Sequence, residues 1–228
     1  MLQAALNGPF TKADHPALPV TADELAADAA ACVAAGAGAI HLHPRDAEGA
    51  ERLDAAVVDA VVARVRRACG VPVGVSTGAW IEPDLERRVA LVRAWTEPDY
   101  ASVNVSEEGF ERVMQALLDV GIGIEAGVWS VADAERLAAS GLGPRVLRVL
   151  VEPVDAGARG VAAVEEIHAA LDRLGLGAPR LQHGDGEATW PLLRDALRRG
   201  HDTRIGLEDT RDGESNAALV RAAVALIS

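Results

Sequence analysis

One rhythm governs this sequence. Eight times a short apolar run closes on a polar or glycine-rich turn, and an amphipathic stretch of roughly 10–16 residues follows before the next run. The apolar runs read as strands at Gln3–Asn7, Ala39–His43, Pro72–Ser76, Tyr100–Asn104, Gly123–Gly127, Val146–Val151, Arg180–His183 and Asp202–Gly206. The intervening stretches read as helices at Thr21–Ala35, Ala55–Ala68, Asp84–Ala94, Gly109–Val120, Ser130–Ala139, Val161–Leu174, Trp190–Arg198 and Asn216–Ile227. Thr21 opens T-A-D-E, a capping box with Glu24. Pro83-Asp84 starts the third helix, and Gly36, Gly70, Gly121, Gly141 and Gly200 follow helix ends.

Strict strand–helix alternation predicts a parallel sheet. Eight units in 228 residues predict a single-domain (β/α)8 TIM barrel with parallel strands, spanning residues 1–228. The alternative is an open Rossmann-like sheet, but no G-x-G-x-x-G follows the first strand. The longest irregular stretch near the expected barrel mouth, Pro9–Val20, carries three prolines and is expected as a lid.

Charge and composition exclude several roles. Against 22 basic residues stand 34 acidic ones, a net charge of -12. Nucleic acid and anionic membranes demand a basic surface, so neither is an expected partner. The start MLQAALNGPF lacks the basic, apolar pattern of a secretory leader, and no apolar run is long enough to span a bilayer, which predicts a cytoplasmic protein. Cys32 and Cys69 fall in last helical turns, away from the strand ends, and read as small apolar residues. Lys12 is the sole lysine and lies in a loop, so no Schiff-base lysine is available on a strand.

Polar residues at the C-terminal ends of barrel strands are costly unless they have work to do, and in barrels that face holds the active site. The second strand ends I-H-L-H-P-R-D, which puts His41 and His43 on one face and Ile40 and Leu42 on the other. The eighth runs T-R-I-G-L-E-D, where Arg204, Gly206 and Glu208 share a parity. In a closed barrel the eighth strand adjoins the first and the second lies just beyond, about 10 Å away. His41, His43 and Glu208 are therefore the expected ligands of one divalent ion. Two histidines and a carboxylate suit catalytic Zn2+ and equally Fe2+.

A buried Arg204 requires an anionic partner, and Asp209 beside it reads as a general base, with a structural ion pair as the alternative. Glu125 lies on the fifth strand between Gly123 and Gly127, where the glycines leave room for a ligand. Ser76 points inward, Thr77 in the turn beside it is expected as a further substrate contact, and Ser102 shares a face with Asn104. Ser76 and Asn104 are expected to bind a substrate carboxylate. Asn7, Glu152 and His183 also end strands and are expected as substrate contacts or supports.

The segments HPALPVTADELAADAAACVAAGAGAIHLHPRD, VGVSTGAW, ASVNVSEEGF and TRIGLEDT, in this order, resemble the β-keto acid cleavage enzyme family. The likeness runs from Ala5 to Thr210, and H-x-H-x-R-D with R-x-G-x-E-D is its specific pair of elements. It implies a barrel enzyme that uses Zn2+ to convert a β-keto acid and acetyl-CoA into acetoacetate and a new acyl-CoA. It implies His41, His43 and Glu208 as metal ligands, Asp209 as the base paired with Arg204, and Ser76 as the carboxylate site. Asn104 matches a second donor position where relatives carry threonine, and Glu125 matches an acidic pocket residue that helps set substrate preference. It also implies a homo-oligomer. Many members are longer, a difference the sequence assigns to loops. Two other readings remain: a CoA-independent metal-dependent retro-aldolase or hydrolase acting on a small oxo acid, and a barrel that binds a small acid without turning it over.

Overall fold

The structure is a computed structural model that describes residues 1–154 and 157–227. Among the described residues, eight parallel strands pair in chain order and close into a barrel: β1 (Leu2–Ala5), β2 (Ala39–Leu42), β3 (Val73–Ser76), β4 (Tyr100–Asn104), β5 (Gly123–Val128), β6 (Arg148–Val151), β7 (Arg180–Gln182) and β8 (Asp202–Ile205). The seam is β1 against β8, with Gln3 opposite Arg204. The outer helices are α1 (Ala22–Ala34), α2 (Ala55–Cys69), α3 (Leu85–Val92), α4 (Phe110–Asp119), α5 (Val131–Ser140), α6 (Gly160–Arg173), α7 (Thr189–Arg199) and α8 (Asn216–Ile227). The eight expected units are all present, and the barrel replaces the open-sheet alternative.

Boundaries differ from the sequence reading by one or two residues, as helix and strand ends usually do. Four of the predicted strands run on beyond the last paired residue, so Asn7, His43, His183 and Gly206 sit in the turns above the ladder. Those turns are the site. The local signals act as read: Thr21 accepts from the Glu24 amide while the Glu24 carboxylate accepts from that of Thr21. Asp84 and Ser130 cap α3 and α5.

Between sheet and helices lies an apolar layer that includes Ile40, Leu42, Val73, Val75, Val103, Ile124 and Ile205, all buried. Inside, the barrel floor is polar. Gln3 Nε2 donates to Tyr100 Oη at 3.0 Å and to Glu125 Oε1 at 2.9 Å. Arg148 Nε donates to Glu125 Oε1 at 2.7 Å, and its guanidinium lies 5.2 Å from the centre of the Tyr100 ring. Tyr100 reaches across because β3 carries Gly74 there; a Cβ at Gly74 would stand 1.9 Å from the ring. This plug closes the barrel from below and leaves the open end to the strand C-termini.

The Pro9–Val20 loop does not form the expected lid. Of it only Pro9 lines the cavity at the mouth. Arg45 pins its start by donating to the carbonyls of Gly8 and Phe10, and Lys12 pairs with Glu24 on α1. No helix among the described residues is long and apolar enough to cross a membrane.

Candidate active site

The cavity above the floor has a volume of about 290 Å³ and is lined by residues at or just beyond every strand but β7. On the β8–β1–β2 side, His41 Nε2 and His43 Nε2 each stand 3.7 Å from Glu208 Oε1. Ligand atoms of the three residues lie within 4.8 Å of one another. Metal–ligand bonds of about 2.0–2.1 Å at tetrahedral angles put neighbouring ligand atoms about 3.3 Å apart, so a small divalent ion fits with little movement. Glu208 Oε2 is buried without a hydrogen-bond partner, an atom that calls for a cation.

Both glycines near Glu208 serve its placement. A Cβ at Gly206 would lie 1.7 Å from the Ala5 carbonyl oxygen, so only glycine lets β8 leave the ladder this close to β1. Gly8, at φ +53°, passes under the Glu208 side chain, where a Cβ would lie 2.7 Å from Cγ.

Burial and neighbouring charges act unequally on the three groups. Burial pulls His41 down to about 3, against the opposing pull of Glu208. Burial acts the same way on His43, yet the carboxylates of Glu208 and Glu51 outweigh it and hold this imidazole up at about 9. Glu208 is buried too, but Arg204 and the two histidines keep it well below the usual carboxylate range.

Two residues that the sequence reading missed hold His43. Glu51 Oε1 lies 2.5 Å from His43 Nδ1, and Trp80 stacks on the imidazole at 6.1 Å between centroids, donating its indole N–H to Glu51 Oε2 at 3.3 Å. Glu51 returns to His43 through a tight turn: Asp46 Oδ1 accepts from the Glu48 and Ala50 amides, Gly49 takes φ +84°, and Arg45 bridges to Glu51. The D-A-E-G sequence carried that turn signal. Gly78 makes room for the Trp80 ring, which a Cβ there would meet at 2.3 Å.

Behind the ligands lies the Arg204 pair. Arg204 donates to Asp209 Oδ1 through Nε at 3.0 Å and Nη2 at 2.7 Å, and to Glu208 Oε1 at 2.9 Å. Burial raises Asp209 to about 6 even beside Arg204, and its Oδ2 is buried without a partner. Asp209 itself lies off the cavity wall, whereas Arg204 and Glu208 line it. His183 Nδ1 stands 3.8 Å from Asp209 Oδ1 and Nε2 3.4 Å from Glu152 Oε2. Burial raises Glu152, but His183 and Arg204 outweigh it and lower the carboxyl.

Of the expected substrate contacts, Ser76 and Asn104 line the cavity, as does Ser102. Asn104 Nδ2 donates to Glu107 Oε1 at 3.0 Å, and Ser76 Oγ accepts from the Gly78 amide at 3.2 Å. Three other expected residues join His183 off the wall. Asn7 is spent on the backbone of His43, donating to its carbonyl at 3.0 Å and accepting from its amide at 2.9 Å. Thr77 donates to the Ser102 carbonyl at 2.7 Å. Glu125, expected as an acidic pocket wall, lies in the floor with its charge matched by Arg148.

The sequence profile described as BKACE, beta-keto acid cleavage enzyme, matches residues 1–228. The chain belongs to the beta-keto acid cleavage enzyme family. Solved structures similar to this family member share the barrel at low identity. ObcA in a binary complex with oxaloacetate superposes with a TM-score of 0.71 at 17% identity, over 92% of this chain and 63% of that one. This chain thus spans less than two thirds of ObcA. A type I 3-dehydroquinate dehydratase from Clostridium difficile matches at a TM-score of 0.68 and 10% identity, over 99% of this chain and 90% of that one. The N-acetylmannosamine-6-phosphate 2-epimerase from Clostridium perfringens matches at 0.62 and 12%, over 92% and 87%. At such identities the likeness is one of fold.

Proposed function

We propose that this protein is a zinc-dependent β-keto acid cleavage enzyme, which condenses a β-keto acid with acetyl-CoA and releases acetoacetate and a new acyl-CoA. The observation that carries the reading is the convergence of His41, His43 and Glu208 on one point at the mouth of a barrel whose family cleaves β-keto acids. The oxaloacetate bound to ObcA is itself a β-keto acid, which agrees with that substrate class.

His41, His43 and Glu208 would hold the ion; when bound, a divalent cation polarises a ketone and acidifies the neighbouring carbon. Ser76 and Asn104, on the wall next to the ligands, orient the substrate carboxylate by hydrogen bonds. Asp209 removes the proton from the carbon between ketone and carboxylate. Its raised pKa makes it a stronger base than an ordinary aspartate while leaving it charged at neutral pH. Arg204 holds Oδ1, which leaves Oδ2 as the accepting atom. Because Asp209 lies behind Arg204, that role requires Oδ2 to face the cavity when substrate is bound. Neither a lysine nor a cysteine nucleophile is needed. Assembly as a homo-oligomer in the cytoplasm belongs to the same proposal.

The experiment is an assay of β-keto acids with acetyl-CoA on the zinc-loaded protein, following acetoacetate and acyl-CoA together. Formation of both supports the reading. Cleavage that proceeds without acetyl-CoA supports a retro-aldolase or hydrolase instead.

A further inference from the structure

In a ring of eight strands, β5 and β6 lie opposite β1 and β2. The metal ligands occupy the β8–β1–β2 arc, and Ser76 and Asn104, proposed to hold the carboxylate, follow on β3 and β4, so a substrate held by both ends extends its remaining arm toward β5 and β6. That far wall is Trp129, which follows β5, with Leu150 of β6 and Val154 just after it. Trp80 and Pro9 close the rim.

Each described charge near this wall already has a partner or lies outside it. Glu125 is below the cavity, tied to Arg148 and Gln3. Glu152 lines the cavity but turns to His183, and Arg204 lowers it further. Arg159 stands in a separate cleft beyond Trp129 and Val154. A charged end-group pressed against two aliphatic side chains and the face of an indole would lose most of its hydration, with the unpartnered Trp129 N–H the one donor on that wall to offset it. An apolar end-group would instead gain by leaving water for that surface.

Resting on the proposed reaction, we infer that the substrate's variable arm ends in an apolar group, alkyl or aromatic, seated on Trp129, Leu150 and Val154. Glu125, which the resemblance implied would help set substrate preference, lies below this wall.

The test compares β-keto acids that share one arm and differ only in ending with methyl, ammonium or carboxylate. The methyl-ended acid should exceed both charged ones by at least about tenfold in kcat/KM, the equivalent of roughly 1.4 kcal/mol. Val154→Glu should shift the ratio toward the ammonium-ended acid by a similar factor. A wild-type protein that favours either charged acid, or treats all three alike, overturns the inference. A second arm needs no turnover: hexanoate, its terminal-amino analogue and adipate are titrated into zinc-loaded protein while tryptophan fluorescence is read. Preferential binding of hexanoate with no turnover of any β-keto acid sinks the reaction and keeps the apolar site. Preferential binding of a charged acid, or equal binding of all three, sinks the apolar site whether or not the reaction holds.

Discussion

Glu51 and His43 are eight residues apart in sequence and meet at 2.5 Å, Oε1 to Nδ1. Once the imidazolium gives up one proton as an ion binds, the carboxylate would keep the other on Nδ1 and leave Nε2 to the metal position. Outer partners of this kind usually contribute about 10–100-fold in metal affinity. Glu51→Gln should therefore lower zinc affinity within that range, and Glu51→Ala by more. Competition with a chromophoric chelator measures it. Affinity unchanged in both variants would reduce Glu51 to a partner of Trp80.

Asn7 is predicted to act through His43 and not through substrate. Asn7→Ala removes two buried hydrogen bonds and strands an amide and a carbonyl, at a cost of about 2–4 kcal/mol. Urea unfolding should show that loss, and zinc affinity should fall with it. A raised KM with an unmoved unfolding midpoint would mark Asn7 as a substrate contact after all.

Asp209→Asn keeps the shape of the side chain and one acceptor for Arg204. The variant should bind zinc stoichiometrically and lose turnover by about 100–10,000-fold. Metal analysis and steady-state kinetics on the same preparation check both halves. Turnover within tenfold of wild type would remove Asp209 as the base.

Asp28 on α1, which does not line the cavity, gives a separate pH dependence. Burial lifts its carboxyl from 3.8 to about 6, although the Asn216 amide, which donates to it at 2.6 Å, pulls the other way. A raised acid stabilises the fold fully below its unfolded pKa, and that contribution is lost as pH rises through about 6. Asp28→Asn should thus be more stable than wild type at pH about 8, by about 1–3 kcal/mol, and no more stable at pH about 4. Parallel urea curves at the two pH values decide it; an advantage of equal size at both would assign the effect to something other than this proton.

The alternation of runs was enough to read the barrel, because parallel strands buried on both faces read as short apolar runs and eight of them separated by amphipathic stretches fit a closed ring. Parity then placed His41 and His43 on one face, and ring closure brought Glu208 to them. Glu125 shows where parity stops. It points inward as read, but how deep it sits and which partner it meets depend on Arg148 and Gln3, two polar residues inside strands read as apolar. Asn7 and Thr77 show the same limit, since a polar side chain at a strand end can serve the backbone as readily as a ligand. Glu51 was hidden in a turn whose signal was legible but whose destination was not.

The three proposed ligands come from residues near the start and near the end of the chain, and β1 between them is the seam where first and last strands meet. During synthesis, a ribosome that has delivered seven of the eight units has made only half a claw. Ion capture must wait for the final strand, and an ion once captured acts as a clasp across that joint. Loss of the ion should then loosen first and last segments together, and zinc should raise the unfolding midpoint in step with its free concentration.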